Sequence, residues 1–181
     1  MEETNCFLET GRLILREMTQ SDLPGLGRIL QDPAVMYAYE GPFSDGEVQA
    51  WLDRQLERYR TDGFGLCAVL LKETGELIGQ CGLTMQEIPG RRVVEVGYLF
   101  RKEFWHQGYA AEAARACREY AFRVLGAEEV YSIIREGNTA SERVALRNGM
   151  TRTGGFVKHY RGVDMPHGIF SVRREDAESR G

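Results

Sequence analysis

The chain contains no CxxC pair, no GxxxxGK[ST] run, no internal repeat and no low-complexity linker. Its four cysteines, Cys6, Cys67, Cys81 and Cys117, are scattered, a pattern that reads as reduced thiols, some of them buried as small apolar side chains. His106, His159 and His167 stand at no metal-ligand spacing from these thiols, so no metal is inferred. The missing GxxxxGK[ST] run argues against a Walker-type nucleotide site. Gly25-x-Gly27 begins a dinucleotide-like pattern, but Leu30 occupies the place of the third glycine and no suitable strand precedes it. The longest apolar run, Leu66 to Leu71, is far too short to span a membrane. Residues 1–11 lack the charged start and apolar core of a signal peptide, which makes a cytoplasmic location the default expectation. No Lys/Arg stripe is visible, and 23 basic against 27 acidic residues give a net charge of −4 and a pI near 5.5. That balance argues against a dedicated DNA or RNA binder, although it leaves room for a local basic patch.

What is present is ordinary globular material: 181 residues, 43% hydrophobic and 28% charged. A chain of this length forms one domain over residues 1–181 that buries roughly 70% of its unfolded surface. Leu13 and Leu15 share one face of a strand over 12–16, with Arg12 and Arg16 on the other, and Thr19 with Asp22 resembles a helix start. Ser44 and Glu47 have the spacing of a capping box. Behind them Val48, Trp51, Leu52, Leu56 and Tyr59 recur at helical spacing. Strand-like runs follow at 66–72, 77–85 and 93–100, separated by the turn signals Thr74-Gly75 and Pro89-Gly90, which predicts an antiparallel meander. The clearest helix places Ala110, Ala113, Ala114, Cys117, Ala121, Val124 and Leu125 on one face, opposite Arg115, Arg118, Glu119 and Arg123. A strand at 130–134, a short helix at 138–148 and strands near 152–160 and 168–172 complete the order. Residues 173–181 read as a charged, frayed tail. The expected fold class is α/β (α+β): a mixed, mostly antiparallel sheet flanked by helices, with a parallel pair across the Ala-rich helix.

The start of that helix is suited to an anion. Gly108 lets the backbone approach a ligand closely, and Ala110 and Ala111 put no bulk in the way. The unpaired N–H groups of the first turn and the helix dipole favour a phosphate or pyrophosphate. A tight turn alone would account for Gly108 equally well.

The run Glu95-Val96-Gly97-Tyr98-Leu99-Phe100, followed by Phe104-Trp105-His106-Gln107-Gly108-Tyr109-Ala110-Ala111-Glu112-Ala113, resembles the cofactor signature of the GNAT superfamily of N-acetyltransferases. More narrowly, the chain is similar to the branch containing the ribosomal-protein N-terminal acetyltransferases. The opening Leu8-Glu9-Thr10-Gly11-Arg12-Leu13-Ile14-Leu15-Arg16 matches that branch, as does Asn138-Thr139-Ala140-Ser141-Glu142-Arg143-Val144 with Gly149-Met150. The resemblance implies the GNAT fold, splayed at the cofactor site, with acetyl-CoA as the acyl donor. Its pantetheine amides would pair with the backbone of Tyr98, Leu99 and Phe100. Backbone N–H groups of His106, Gln107, Gly108, Tyr109, Ala110 and Ala111 would hold the pyrophosphate, and Asn138 and Ser141 would contact the cofactor. Asn138 as a plain helix cap is an equal alternative. Gly97 inside a strand independently suggests a bulge or a close backbone approach. Two positions depart from the broader pattern. Trp105 stands where many relatives have Arg or Gln, and reads as a packing residue. The tyrosine that serves other branches as general acid would fall near Ala145, which cannot donate a proton.

The implied reaction is direct attack of a primary amine on the thioester through an oxyanion. Only the neutral amine attacks, and an α-amine with pKa near 8 is roughly 10% neutral at pH 7, against about 0.04% for a lysine. Glu95 resembles a catalytic glutamate and is the preferred base, directly or through water, provided that burial raises its pKa. Orienting the substrate or pairing with an arginine are the alternatives for it. Ser141 and Tyr98 are the replacement proton donors, although a thiol of pKa about 8.5 leaves without strong acid assistance. Backbone N–H near Leu99 is a candidate oxyanion donor. The acceptor side, built by residues 32–64 and the last strands, carries no readable motif. Tyr37, Tyr39 and Glu40 are candidates to line it and Met165-Pro166-His167 to border it, with packing aromatics and an ordinary turn histidine as the alternatives. A protein N-terminus leads as acceptor; small amines, amino-acid-like metabolites and antibiotics remain open, as does a non-catalytic acyl-CoA sensor. A homodimer is compatible with this fold, and no sequence patch points to one.

Overall fold

The computed structural model describes residues 6–180, with Cys6 described by its backbone alone. The Cys6 thiol and the expectations placed on residues 1–5 therefore lie outside the described residues. The elements are β1 (Cys6–Glu9), β2 (Leu13–Arg16), α1 (Leu23–Leu30), α2 (Asp45–Thr61), β3 (Leu66–Leu71), β4 (Leu77–Ile88), β5 (Arg91–Phe100), α3 (Tyr109–Arg123), β6 (Glu129–Arg135), α4 (Thr139–Arg147), β7 (Thr151–Tyr160), β8 (Val163–Arg173) and α5 (Arg174–Glu178). Short 3-10 turns precede α1, follow it at Met36–Tyr39 and precede α3. The strands form a single eight-stranded sheet in the order β1-β2-β3-β4-β5-β6-β8-β7. Every pairing is antiparallel except β5 with β6, which is parallel across the α3 crossover as anticipated.

Alternating side chains along the strands divide the interior in two. On one face Leu13, Leu15, Cys81, Leu83 and Val96 pack against α3, whose Ala113, Ala114, Cys117 and Ala121 are all fully buried. Four small side chains in that stripe let the helix lie close to the sheet. On the other face Leu66 and Ala68 pack against Leu26, Ile29 and Leu30 of α1 and Val48 and Leu52 of α2. Each buried leucine contributes about 1.5–3 kcal/mol to this packing. The capping box at the start of α2 is present: the Ser44 hydroxyl accepts from the Glu47 N–H, and the Glu47 carboxylate accepts from the Ser44 N–H. A second capping box joins Thr19 and Asp22, ahead of the 3-10 turn that leads into α1.

Three expectations need correction. Val124 and Leu125 do not share the buried face of α3, being 62% and 37% exposed, because the helix ends at Arg123 and Gly126 turns the chain with φ +69°. Arg118, expected on the solvent face, is buried instead and donates to the Asn148 carbonyl at 2.8 Å, which ties the end of α4 to α3. The segment expected to fray contains α5: Arg174 N–H donates to the Glu128 carbonyl at 2.9 Å, and Ala177 packs against the core.

Candidate active site

The parallel pair is where the sheet opens. Backbone pairing of β5 with β6 is registered only at Glu95 with Tyr131, whereas β5 stays paired with β4 along its whole length. Beyond Glu95 side chains replace the ladder. The Glu95 Oε2 accepts the Ile133 N–H at 2.8 Å, and the Ser132 hydroxyl donates to the Val96 carbonyl at 2.9 Å. The carboxylate therefore sits in the fork of the two strands and helps hold them apart. Gly97 makes no bulge; its partner Gly82 carries the close approach, since a Cβ there would lie 2.3 Å from the Gly65 carbonyl oxygen. At Gly97 a Cβ would instead meet Glu95 Oε1 at 3.7 Å. Glycine thus leaves space beside the second carboxylate oxygen.

That space belongs to a cavity of about 720 Å³. By surface area Glu95 is only half-buried, because it borders this cavity, but the protein around its carboxylate excludes most water. Desolvation pushes its pKa up to about 7, against the opposing pull of Lys158, the Ile133 N–H and Arg58. Among the aromatic candidates Tyr39 lines the cavity. Its ring meets Phe43, Trp51 and Tyr160 edge-on at 6.1, 5.8 and 6.3 Å between centroids. Burial, with Glu95 nearby, raises the Tyr39 hydroxyl above its ordinary pKa, so it stays a neutral donor. Tyr37 and Glu40 do not line the cavity. Tyr37 donates to Asn138 Oδ1 at 2.7 Å, and Glu40 pairs with Arg135 at 2.6 Å. They tie the 3-10 turn to the end of β6 and to the N-cap of α4. His167 does border the cavity; desolvation lowers its pKa, and Nδ1 lies 2.8 Å from the Met165 carbonyl.

The two proposed proton donors lie in the same cavity as Glu95. The Tyr98 hydroxyl donates to the Ser141 carbonyl at 2.8 Å, and burial keeps that hydroxyl protonated. Tyr98 therefore anchors α4 to β5. Asn138 is the N-cap of α4, its Oδ1 accepting the Ser141 N–H at 3.2 Å. Leu99 also lines the cavity, whereas the Phe100 side chain is buried in the core and its carbonyl accepts the Trp105 indole N–H at 2.8 Å. Trp105 is thus the packing residue that the sequence suggests.

Residues 106–111 stand apart from the cavity. Gly108 caps α3 in the left-handed conformation, φ +82°, and His106 shares it at φ +61°. The first N–H of this helix paired within it is that of Glu112, on the Gly108 carbonyl at 3.0 Å, so the N–H groups of Tyr109, Ala110 and Ala111 project from its start. Arg12 braces the loop from the turn just before β2. Its Nη1 donates to the Gln107 carbonyl at 3.0 Å, Nε to Glu112 at 2.7 Å, and its guanidinium lies 4.3 Å from the Tyr109 ring centroid. These features suit the diphosphate and extended amide arm of coenzyme A: a helix start with free N–H groups, reached from a strand whose outer edge has lost its partner.

Sequence reasoning missed Arg12, and it missed Gln80, Trp51, Arg54, Arg58, Lys158 and Tyr160 in the cavity wall. These residues come from α2, β4 and β7 and carry no local motif.

Comparison with known proteins agrees with this geometry. The profile of the acetyltransferase (GNAT) domain matches residues 12–151. An uncharacterized protein of Bacillus subtilis, YkkB, is 38% identical over 144 residues, covering 79% of this chain and 84% of its own. An acetyltransferase of Agrobacterium tumefaciens superposes with a TM-score of 0.77 at 28% identity, covering 92% of this chain and 94% of its own. RimL, a ribosomal L7/L12 α-N-protein acetyltransferase solved in complex with coenzyme A, shares the fold at a TM-score of 0.73 and 18% identity, covering 96% of this chain and 99% of its own. The opened parallel pair, the braced helix start and the matching profile lead to one conclusion: the chain belongs to the GNAT acetyltransferases and is an acyltransferase that uses acetyl-CoA.

Proposed function

We propose that this enzyme transfers an acetyl group to a primary amine and that Glu95 takes the proton that the amine must lose. The observation that carries this reading is the position of Glu95, a cavity-lining carboxylate in the fork of β5 and β6, with a pKa pushed up to about 7. A base works best with a pKa near the working pH, since a useful fraction is then ionised while the proton is still held firmly. Oε2 is occupied by the Ile133 N–H, which fixes the carboxylate, while Oε1 faces the space beside Gly97.

The acyl donor supplies an activated acetyl group as a thioester. Tyr98 and Leu99 along β5, the N–H groups of residues 106–111, and Asn138 and Ser141 at the start of α4 would hold it. The free edge of β5 near Leu99 offers backbone N–H groups as oxyanion donors. Ser141 remains the candidate to protonate the departing thiolate, because the Tyr98 hydroxyl is directed at the Ser141 carbonyl. Help from a base matters most for an acceptor of high pKa: an α-amine is neutral roughly two hundred times more often than a lysine at pH 7 and needs less of it. The test is thiol release from acetyl-CoA across peptides of differing N-termini and small primary amines. Turnover of at least one class above background is expected; background release throughout contradicts the proposal.

A further inference from the structure

The acceptor end of the cavity is positively charged, against the acidic balance of the whole chain. Five basic side chains line it with two carboxylates, Glu47 and Glu95. Two of the five are neutralised: Arg135 pairs with Glu40, and Arg161 pairs with Glu47. Arg54, Arg58 and Lys158 have no carboxylate in ion-pair contact among the described residues. Arg54 lies over the Trp51 ring at 6.0 Å, Arg58 donates to Gln55 Oε1 at 3.1 Å, and Lys158 lies over the Phe156 ring at 6.0 Å. Arg58 is half-buried, and desolvation lowers its pKa. Glu95 and Asp62 act on Arg58 only through space, without ion-pair contact, so this partly desolvated guanidinium is incompletely compensated until an anion arrives.

A second, independent group also lacks a partner. Gln80 is 1% exposed and lines the same cavity. Its Oε1 accepts from the Trp51 indole N–H at 2.9 Å, which fixes the orientation of the amide because an indole only donates. That leaves Gln80 Nε2 as a buried donor with no acceptor in the described structure. None of residues 106–111 lines this cavity, so these donors are separate from the pyrophosphate loop. The remaining phosphate of coenzyme A lies on the adenosine, at the opposite end of the molecule from the thioester.

We propose that the acceptor is a small amine that also carries a carboxylate or phosphate, held by Arg54, Arg58 and Lys158 with Gln80 Nε2 as a further donor. This inference rests on the amine acetylation proposed above. The acyl donor would share this cavity at Tyr98, Leu99, Asn138 and Ser141, so the space left beside Arg54, Arg58 and Lys158 suits a small molecule, and the positive field does two things. It recruits the anion, and it disfavours the ammonium form of the neighbouring amine, so the reactive neutral form becomes more populated. Polycationic amines meet repulsion instead.

The experiment compares thiol release with β-alanine, O-phosphoethanolamine, ethanolamine, spermidine and a Ser-Asp peptide. In parallel, calorimetry follows binding of propionate and ethyl phosphate, which are the first two amines without their amino groups. We expect kcat/KM for β-alanine or O-phosphoethanolamine to exceed that for ethanolamine at least tenfold, with spermidine lowest. Whichever of the two is preferred identifies the anion. Arg58→Gln and Lys158→Gln should each reduce the anionic-to-neutral ratio about fivefold and weaken anion binding, with acetyl-CoA affinity reporting that the fold is intact. Equal or better use of ethanolamine or spermidine, or absence of anion binding, overturns the inference. Preference for the peptide over both small acids overturns the small-molecule assignment. Anion binding without thiol release from any amine supports the anion site and overturns the acetylation reading beneath it.

Discussion

The two ends of the groove are built by different means. At the start of α3 the chain presents backbone: a left-handed Gly108, small side chains at Ala110 and Ala111, and N–H groups that nothing in the helix accepts. At the proposed acceptor end the chain presents side chains from α2, β4, β5, β6 and β7, gathered around Glu95, with the second carboxylate, Glu47, paired with Arg161. A backbone site is set by a few consecutive residues and serves any member of a family that binds the same diphosphate. A side-chain site is set by what distant elements bring together, and it can change while the fold and the cofactor stay the same.

The comparison can be broken most forcefully at Glu95. Glu95→Gln keeps an acceptor for the Ile133 N–H but no base, so kcat/KM should fall about 10²–10⁴-fold while acetyl-CoA affinity stays within a few fold. Steady-state kinetics together with calorimetry check this; a comparable loss of acetyl-CoA affinity would mean that Glu95 belongs to the cofactor end instead. The same substitution should alter stability with pH. The folded-state pKa of Glu95 is raised, so its contribution to stability is fully present below about 4.5 and is lost as the pH rises through about 7. Relative to the wild type, Glu95→Gln should therefore gain roughly 3 kcal/mol between those limits, read from denaturant unfolding at each pH. A flat difference would place the carboxylate in water.

Gly108→Val tests the backbone end. It forces a β-branched residue to φ +82° beside Arg12 Nη2, 3.4 Å from the added Cβ. Acetyl-CoA affinity should fall about tenfold, ~1.4 kcal/mol, with the fold retained. Unchanged affinity, measured by calorimetry, would remove this loop from the cofactor site. Arg12→Ala gives the smallest effect. It removes an ion pair whose arginine is 46% exposed, together with the brace on the Gln107 carbonyl, so affinity should weaken about threefold.

The same division explains what could be read from the chain. Apart from β1 and α5, which carry too few residues to show a period, the order of strands and helices, the capping box at Ser44 and the parallel crossover follow from periodicity and caps, which are local. The start of α3 was legible for the same reason. Glu95 was legible only as a residue type at a matching position; its role as the wedge between β5 and β6 depends on Ile133, 38 residues away. Arg58 and Lys158 lie on α2 and β7, a hundred residues apart in order, and no spacing rule joins them. Arg118 looked like a surface charge because helical periodicity does not show that the Asn148 carbonyl lies within its reach. Tyr37 and Glu40 share a 3-10 turn and its cap with Tyr39, but turn toward Asn138 and Arg135.

The most direct test of the central claim is the pH dependence of kcat/KM for wild type and Glu95→Gln with the same amine. If Glu95 is the base, the wild type has a limb rising with pH and breaking near 7, on top of the amine's own deprotonation, and the variant keeps only the amine's limb. Lys158 and Arg58 hold the wild-type break down and desolvation holds it up, so Lys158→Gln should move it to higher pH. Superimposable profiles for wild type and Glu95→Gln would contradict the assignment.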